Sequence, residues 1–154
     1  MRFVKGDIWA IDCDVICITT NGYVRGDGKA VMGRGVAYQA TQRYPDIARL
    51  LGNKLIQYGN VVSIIRVPRT PNEKILCSFP VKHHWHDQAD IHLIKKSAEE
   101  LLSLAREWSN SVFVLPRPGC GNGKLRWEDV LPVLVATKLP DNVIVVEYDK
   151  GVGK

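Results

Sequence analysis

No run of apolar residues approaches the ~18 that a membrane-spanning helix needs. Asp7 and Asp12 interrupt the opening "MRFVKGDIWAIDCD", where a secretory signal would need an unbroken apolar stretch. A cytoplasmic protein without a membrane partner is expected. None of the four cysteines (Cys13, Cys17, Cys77, Cys120) belongs to a CxxC pair. The first three sit in apolar, strand-like runs, where a reduced thiol behaves as a small hydrophobe and suits a reducing compartment. Internal repeats, low-complexity segments and linkers are absent. Two phosphate-binding fingerprints are missing as well. GxxxxGK[ST] fails because Lys124 is followed by Leu125 and the position five before Gly123 is Pro118. GxGxxG fails because Gly33 and Gly35 lead to Tyr38, and Gly119 and Gly121 lead to Lys124. Neither a P-loop ATPase nor an ordinary NAD dehydrogenase is supported.

What is present is a 154-residue chain, 45% hydrophobic and 24% charged, of a size for one domain. Such a chain buries roughly two-thirds of its unfolded surface. The net charge of +5 weakly favours polyanionic or phosphorylated partners. "RFVKGDIW", "DVICITTN", "NVVSIIRV", "KILCSFP", "SVFVLP" and "NVIVVEY" read as strands, several of them uniformly apolar as if covered on both faces. Helical patterns follow "GDGKAVMGRG", ending before Pro45, and fill "DIHLIKKSAEELLSLAREW", with Asp87 or Asp90 as its cap. A third is expected in "RWEDVLPVLVATK", where Pro132 should kink the helix or mark its start. Alternating strands and helices predict a three-layer α/β/α sandwich with a mixed, mostly parallel central sheet. One domain over residues 1–149 and a loose tail over 150–154 are expected, as is a monomer.

Two glycine-rich loops, around Met32–Ala37 and around Pro118–Gly123, each lie between a strand and a helix. In a parallel sheet both should gather on the rim at the carboxyl ends of the strands, where ligands bind. Strand, glycine loop and helix together cradle phosphate through inward backbone N–H groups and the helix N-terminus. Glycines that merely make tight turns are the plainer explanation for one such loop, and two loops shift the balance toward a ligand.

The ordered motifs "KGDIW", "ITTN", "VMGRGVAYQ", "LPRPGCGNGKLRW" and "VIVVEY" resemble a macrodomain, the module that binds ADP-ribose. The resemblance covers Val4 to Tyr148. "FPVKHHW" and "GCGNGKLRW" look most like ADP-ribosyl hydrolases of the terminal ADP-ribose glycohydrolase type, and like the macrodomains of DNA-ADP-ribosylation antitoxins. It implies that Asp7 accepts the adenine amino group and that the Ile8 N–H meets a ring nitrogen. Asn21 would bond the distal ribose. Met32, Gly33, Arg34, Gly35, Val36 and Ala37 would wrap the pyrophosphate and that ribose. Pro118, Gly119, Cys120, Gly121, Asn122 and Gly123 would close over the phosphates from the other side, and Tyr148 could stack on adenine. A cap for Asp7, a turn for Asn21 and plain packing for Tyr148 are the competing readings.

The same resemblance places a reactive lysine at Lys82. An ordinary lysine, with a pKa near ~10.4, is an ammonium at neutral pH and cannot attack carbon. Burial and neighbouring positive charge both lower that value. Trp85 could supply apolar cover, with His83, His84 and nearby basic residues supplying charge. In eukaryotic members the glycine loop carries a catalytic aspartate, whereas Gly123 aligns there in this chain. His83 and His84 are therefore the acid/base candidates on pKa grounds, with Asp27 and Asp87 still open. A metal site built from His83, His84 and His86, with Asp87 or His92, is the weaker reading, since adjacent histidines cannot easily face one ion. No cofactor is implied, ADP-ribose being ligand or product. Partners are ADP-ribose and ADP-ribosylated DNA or protein, with Lys95, Lys96 and Lys124 as a candidate basic rim. The expected function is an ADP-ribosyl glycohydrolase that removes mono-ADP-ribose, DNA bases included. The alternatives are an ADP-ribose reader and a phosphatase acting on ADP-ribose 1″-phosphate.

Overall fold

The computed structural model describes residues 1–149, so the tail expected over 150–154 lies outside the described residues. Six strands form one sheet: β1 (Arg2–Gly6), β2 (Val15–Asn21), β3 (Ser63–Arg66), β4 (Ile75–Lys82), β5 (Phe113–Pro116) and β6 (Val143–Tyr148). Their order is β1-β6-β5-β2-β4-β3. Every pairing is parallel except that of β3 with β4 at one edge. The helices are α1 (Gly35–Arg43), α2 (Ile47–Tyr58), α3 (Ile91–Glu107) and α4 (Trp127–Thr137), with a single 3-10 turn at Ile8–Ala10.

The uniformly apolar strands follow from covering on both faces. Ile16, Ile18, Leu76, Val114 and Ile144 point to one layer, where they meet Ala40, Ile47 and Leu51 of α1 and α2. The alternate residues Val15, Cys17, Cys77, Phe113 and Val143 point to the other, against Ile94, Leu101 and Leu134 of α3 and α4. A period of two along each strand thus feeds two cores. The result is the α/β/α sandwich expected from the sequence.

Asp90 caps α3 by accepting the His92 N–H at 2.9 Å, and α4 starts at Trp127 and runs on through Pro132. The acidic residues Glu128 and Asp129 fall in its first turn, where the helix dipole favours them. Trp9, Trp108 and Trp127 are half-buried. Helix α2 has no counterpart in the sequence reading, although Ile47, Leu51 and Leu55 repeat at helical spacing and are buried. It shapes the site from behind. Gly52 lies directly against the Gly28 carbonyl, where a side chain would not fit. The Ala30 N–H donates to Ala48 O at 2.9 Å, fixing the segment that leads into Met32.

Candidate functional site

Parallel strands send their carboxyl ends to one rim, and there the two glycine loops meet. A Cβ on Gly35 would lie 3.8 Å from Asn122 Nδ2, so the loops converge. Between them opens a cavity of about 1210 Å³. Its wall includes Met32–Ala37 on one side and Gly119–Gly123 on the other, with Asp7, Ile8, Asn21, Lys82 and Tyr148 also contributing. Pro118 departs from expectation: it is buried behind its loop rather than lining the cavity.

The glycines of the second loop divide by role. Gly119 takes φ +77°, and a Cβ there would lie 2.8 Å from Ile94 Cδ1. On Gly123 it would lie 2.5 Å from Gly119 O and 2.7 Å from Ala89 Cβ. These two glycines are pressed by the protein's own chain. Gly121 has nothing within 4 Å of its Cβ position, and neither has Gly33 across the cavity. Those backbones are left open to a ligand. The crowding at Gly123 also explains why no carboxylate stands there: its first carbon would collide with main chain.

Lys82 sits at the end of β4, where the register with β2 shifts between Thr20 and Asn21 so that Asn21 pairs with Lys82. Its carbonyl accepts from Gly22 N–H at 3.1 Å and from Asn60 Nδ2 at 3.0 Å. Its Nζ donates only weakly, to Trp85 O and Asn122 O, each at 3.4 Å. Burial holds the amine below the ordinary lysine value, Asp87 opposes this, and Lys124 and Arg34 push the same way as burial. The positive charge that acts on Lys82 therefore comes from Lys124 and Arg34 beside the two loops, and the negative charge of Asp87 opposes it.

Neither histidine lines the cavity. His83 Nε2 pairs with Asp90 Oδ2 at 2.8 Å, over the start of α3. The His84 ring packs between Tyr23 and His86, with centroids 4.3 Å and 3.9 Å away. Asp27 and Asp87 are also outside the lining, Asp27 pairing with Arg25 and Asp87 with His86. Among the described residues, no group of three or more His, Cys, Asp or Glu side chains is placed to hold a metal ion.

The remaining candidates hold local bonds that match their competing readings, while still facing the cavity. Asp7 Oδ1 accepts from Trp9 N–H at 3.0 Å, capping the 3-10 turn. Asn21 accepts from Tyr23 N–H and donates to Val31 O, both at 3.0 Å. Tyr148 is 61% exposed at the cavity edge. Burial pushes the Cys120 thiol up, with Arg117 opposing, so it is no ready nucleophile. Arg117 lines the cavity, paired with Glu147 at 3.3 Å and lying over the Trp127 ring. Of the basic residues expected at a rim, Lys124 stands beside the site, whereas Lys96 pairs with Glu100 along α3. Sequence reasoning missed Tyr23, Arg25, Gln39 and Glu147 as wall residues. Only the position of Tyr23 and Arg25 just after a strand end hinted at them.

No family model matches the chain. A curated relative from Mycobacterium tuberculosis, named DNA ADP-ribosyl glycohydrolase, is 30% identical over 98% of this chain and 43% of its own length. One of the same name from Thermus aquaticus is 26% identical over 84% of this chain and 35% of its own length. The chain thus spans less than half the length of these relatives. Among solved structures, the macrodomain of Mycobacterium tuberculosis DarG superposes with a TM-score of 0.77 at 29% identity, covering 96% of this chain and 95% of that one. The macrodomain of Thermus aquaticus DarG gives 0.75 at 25% identity, over 96% and 97%. Across nearly its whole length, then, this chain has the fold of a macrodomain and is similar in sequence and fold to the macrodomains of DarG.

Proposed function

We propose that the chain is an ADP-ribosyl glycohydrolase that removes single ADP-ribose units from a modified macromolecule, with DNA bases as the substrate class and Lys82 as the nucleophile. The observation that carries this is the Lys82 amine. It projects into the cavity between the two glycine loops, makes only two 3.4 Å bonds to carbonyls, and is biased by burial toward its neutral form. The names of the curated relatives support the DNA assignment.

In this reading the adenosine end lies toward Asp7, Ile8 and Tyr148, and the pyrophosphate between the open backbones of Gly33 and Gly121. The distal ribose then lies over Lys82 and Asn21. The neutral amine attacks C1″. The C1″–base bond breaks, and its electron pair leaves with the base, which takes up a proton from solvent water. The adduct's nitrogen passes a proton to the ring oxygen as the ring opens to an iminium. Water adds at C1″, the C1″–Nζ bond breaks, and ADP-ribose departs as the amine is restored. Positive charge developing on the sugar faces the pyrophosphate held by the loops. The steps need no cofactor. A cytoplasmic setting fits four free thiols.

The test is incubation with an ADP-ribosylated oligonucleotide and with an ADP-ribosylated protein, using Lys82→Ala as control. Release by the wild type alone is the expected result, and borohydride should trap a sugar adduct on Lys82. The crowded Gly123 favours a second reading, a module that binds ADP-ribose without chemistry, because it denies the loop a general acid. Tight binding without release from either substrate would establish that reading instead.

A further inference from the structure

Four rings stand together beside Lys82: Tyr23, His84, Trp85 and His86. The Tyr23–His84 and His84–His86 centroids are 4.3 Å and 3.9 Å apart. Trp85 lies 5.6 Å from His84 and 5.3 Å from His86. Tyr23 and Trp85 both line the cavity, yet they stay 37% and 50% exposed. Large aromatic faces left open to water in the wall of a cavity are ready for a planar partner. Because the rings brace one another, ordering them on binding costs little. Their tether is short: the Trp85 carbonyl accepts from Lys82 Nζ, and the Tyr23 N–H is held by Asn21 Oδ1. Positive charge flanks them, with Arg25 and Arg34 in the same cavity wall and Lys124 near enough to act on Lys82.

We infer that this ring cluster is a stacking platform for a base of single-stranded nucleic acid, seating the modified nucleotide or its neighbour as C1″ reaches Lys82. The inference rests on the hydrolase reading for the position of C1″, but its chemistry is separate. Aromatic faces beside basic side chains are how proteins hold single strands without reading their sequence. A base paired in a duplex could not present its face to these rings. An acidic peptide would use the arginines but leave the rings uncovered, which favours nucleic acid over protein.

The platform is tested by binding in a Lys82→Ala background, where nothing is released. A labelled single-stranded oligonucleotide carrying one ADP-ribose is followed by anisotropy, and free ADP-ribose by calorimetry. Tyr23→Ala and Trp85→Ala should weaken the oligonucleotide about 5- to 150-fold, the span of one base–aromatic stack. They should weaken free ADP-ribose far less, and Tyr23→Phe should behave as Tyr23. Thermal melts of each variant identify any loss of fold, and Tyr23→Phe, which keeps the ring, serves as the second variant. The platform is refuted if both ligands weaken equally, or if an ADP-ribosylated peptide shows the same ring dependence. The two proposals fail differently. Ring-dependent binding of the oligonucleotide without release by the Lys82 protein sinks the hydrolase and keeps the platform. Release at rates indifferent to the rings sinks the platform and keeps the hydrolase.

Discussion

Replacing Gly123 with alanine adds one methyl group at the tightest point of the second glycine loop. Carbon atoms in ordinary contact sit about 3.5–4.0 Å apart. The new Cβ would lie 2.7 Å from Ala89 Cβ and 2.8 Å from Gly119 Cα, an overlap of about 1 Å on two sides. Gly119 cannot retreat, because its own Cβ direction is filled by Ile94, Ala89 and Leu125. Ala89 is held in turn, its N–H donating to Gly123 O at 3.0 Å. Overpacking of this kind costs about 1–3 kcal/mol. For a domain of this size, that lowers Tm by roughly 2–12 °C. Gly121→Ala is the matched control. Its Cβ meets nothing within 4 Å, so stability should stay within about 0.5 kcal/mol of the wild type. The same methyl faces the cavity and should weaken ADP-ribose binding. Melting followed by circular dichroism, with calorimetric titration of ADP-ribose, separates the two effects. A Gly123→Ala protein that melts with the wild type would refute the division of the loop into self-packed and ligand-facing glycines. So would a destabilised Gly121→Ala protein.

Lys82 carries a pH prediction in two parts. Release of ADP-ribose should rise with pH as the amine loses its proton, with a midpoint below the ordinary ~10.4. The unfolded chain binds that proton more tightly than the folded one, so between the two values stability rises with pH. Lys82→Met should therefore melt higher than wild type at neutral pH, and the advantage should vanish above the ordinary value; a constant difference across pH would contradict it. Gly52→Ala should destabilise strongly, because its methyl would enter the Gly28 carbonyl, and urea denaturation would detect a lowered midpoint. Asp90→Ala removes the cap of α3 and should cost about 1 kcal/mol. The His83 contact and the backbone N–H groups hold the Asp90 carboxyl below its usual range. Its stabilisation is therefore full above the ordinary carboxylate value of about 3.9 and is lost as pH falls through the lowered one, so acid titrations of mutant and wild type should converge at low pH.

The layers were legible because a strand buried on both faces leaves an unmistakable run, as in "DVICITTN" and "NVIVVEY". Strand direction was less legible: "NVVSIIRV" looks like its neighbours but pairs antiparallel to β4, since nothing in an apolar run records orientation. Helix α2 was missed although Ile47, Leu51 and Leu55 carry the period, Gly52 at its centre and the exposed Ile56 and Tyr58 blurring the pattern. The meeting of the two glycine loops followed from their places after parallel strands. Which glycines face a ligand and which face their own chain did not, because that depends on Ala89 and Ile94, distant in sequence. His83 and His84 looked like acid/base groups because they adjoin Lys82. Side chains after a strand end diverge, and these two turn to Asp90 and Tyr23.

The doubly bonded carbonyl of Lys82 has a bearing on motion. With Gly22 and Asn60 both gripping that oxygen, the peptide at the strand end is moored to the sheet, and adjustment toward a substrate falls to the four methylenes beyond it.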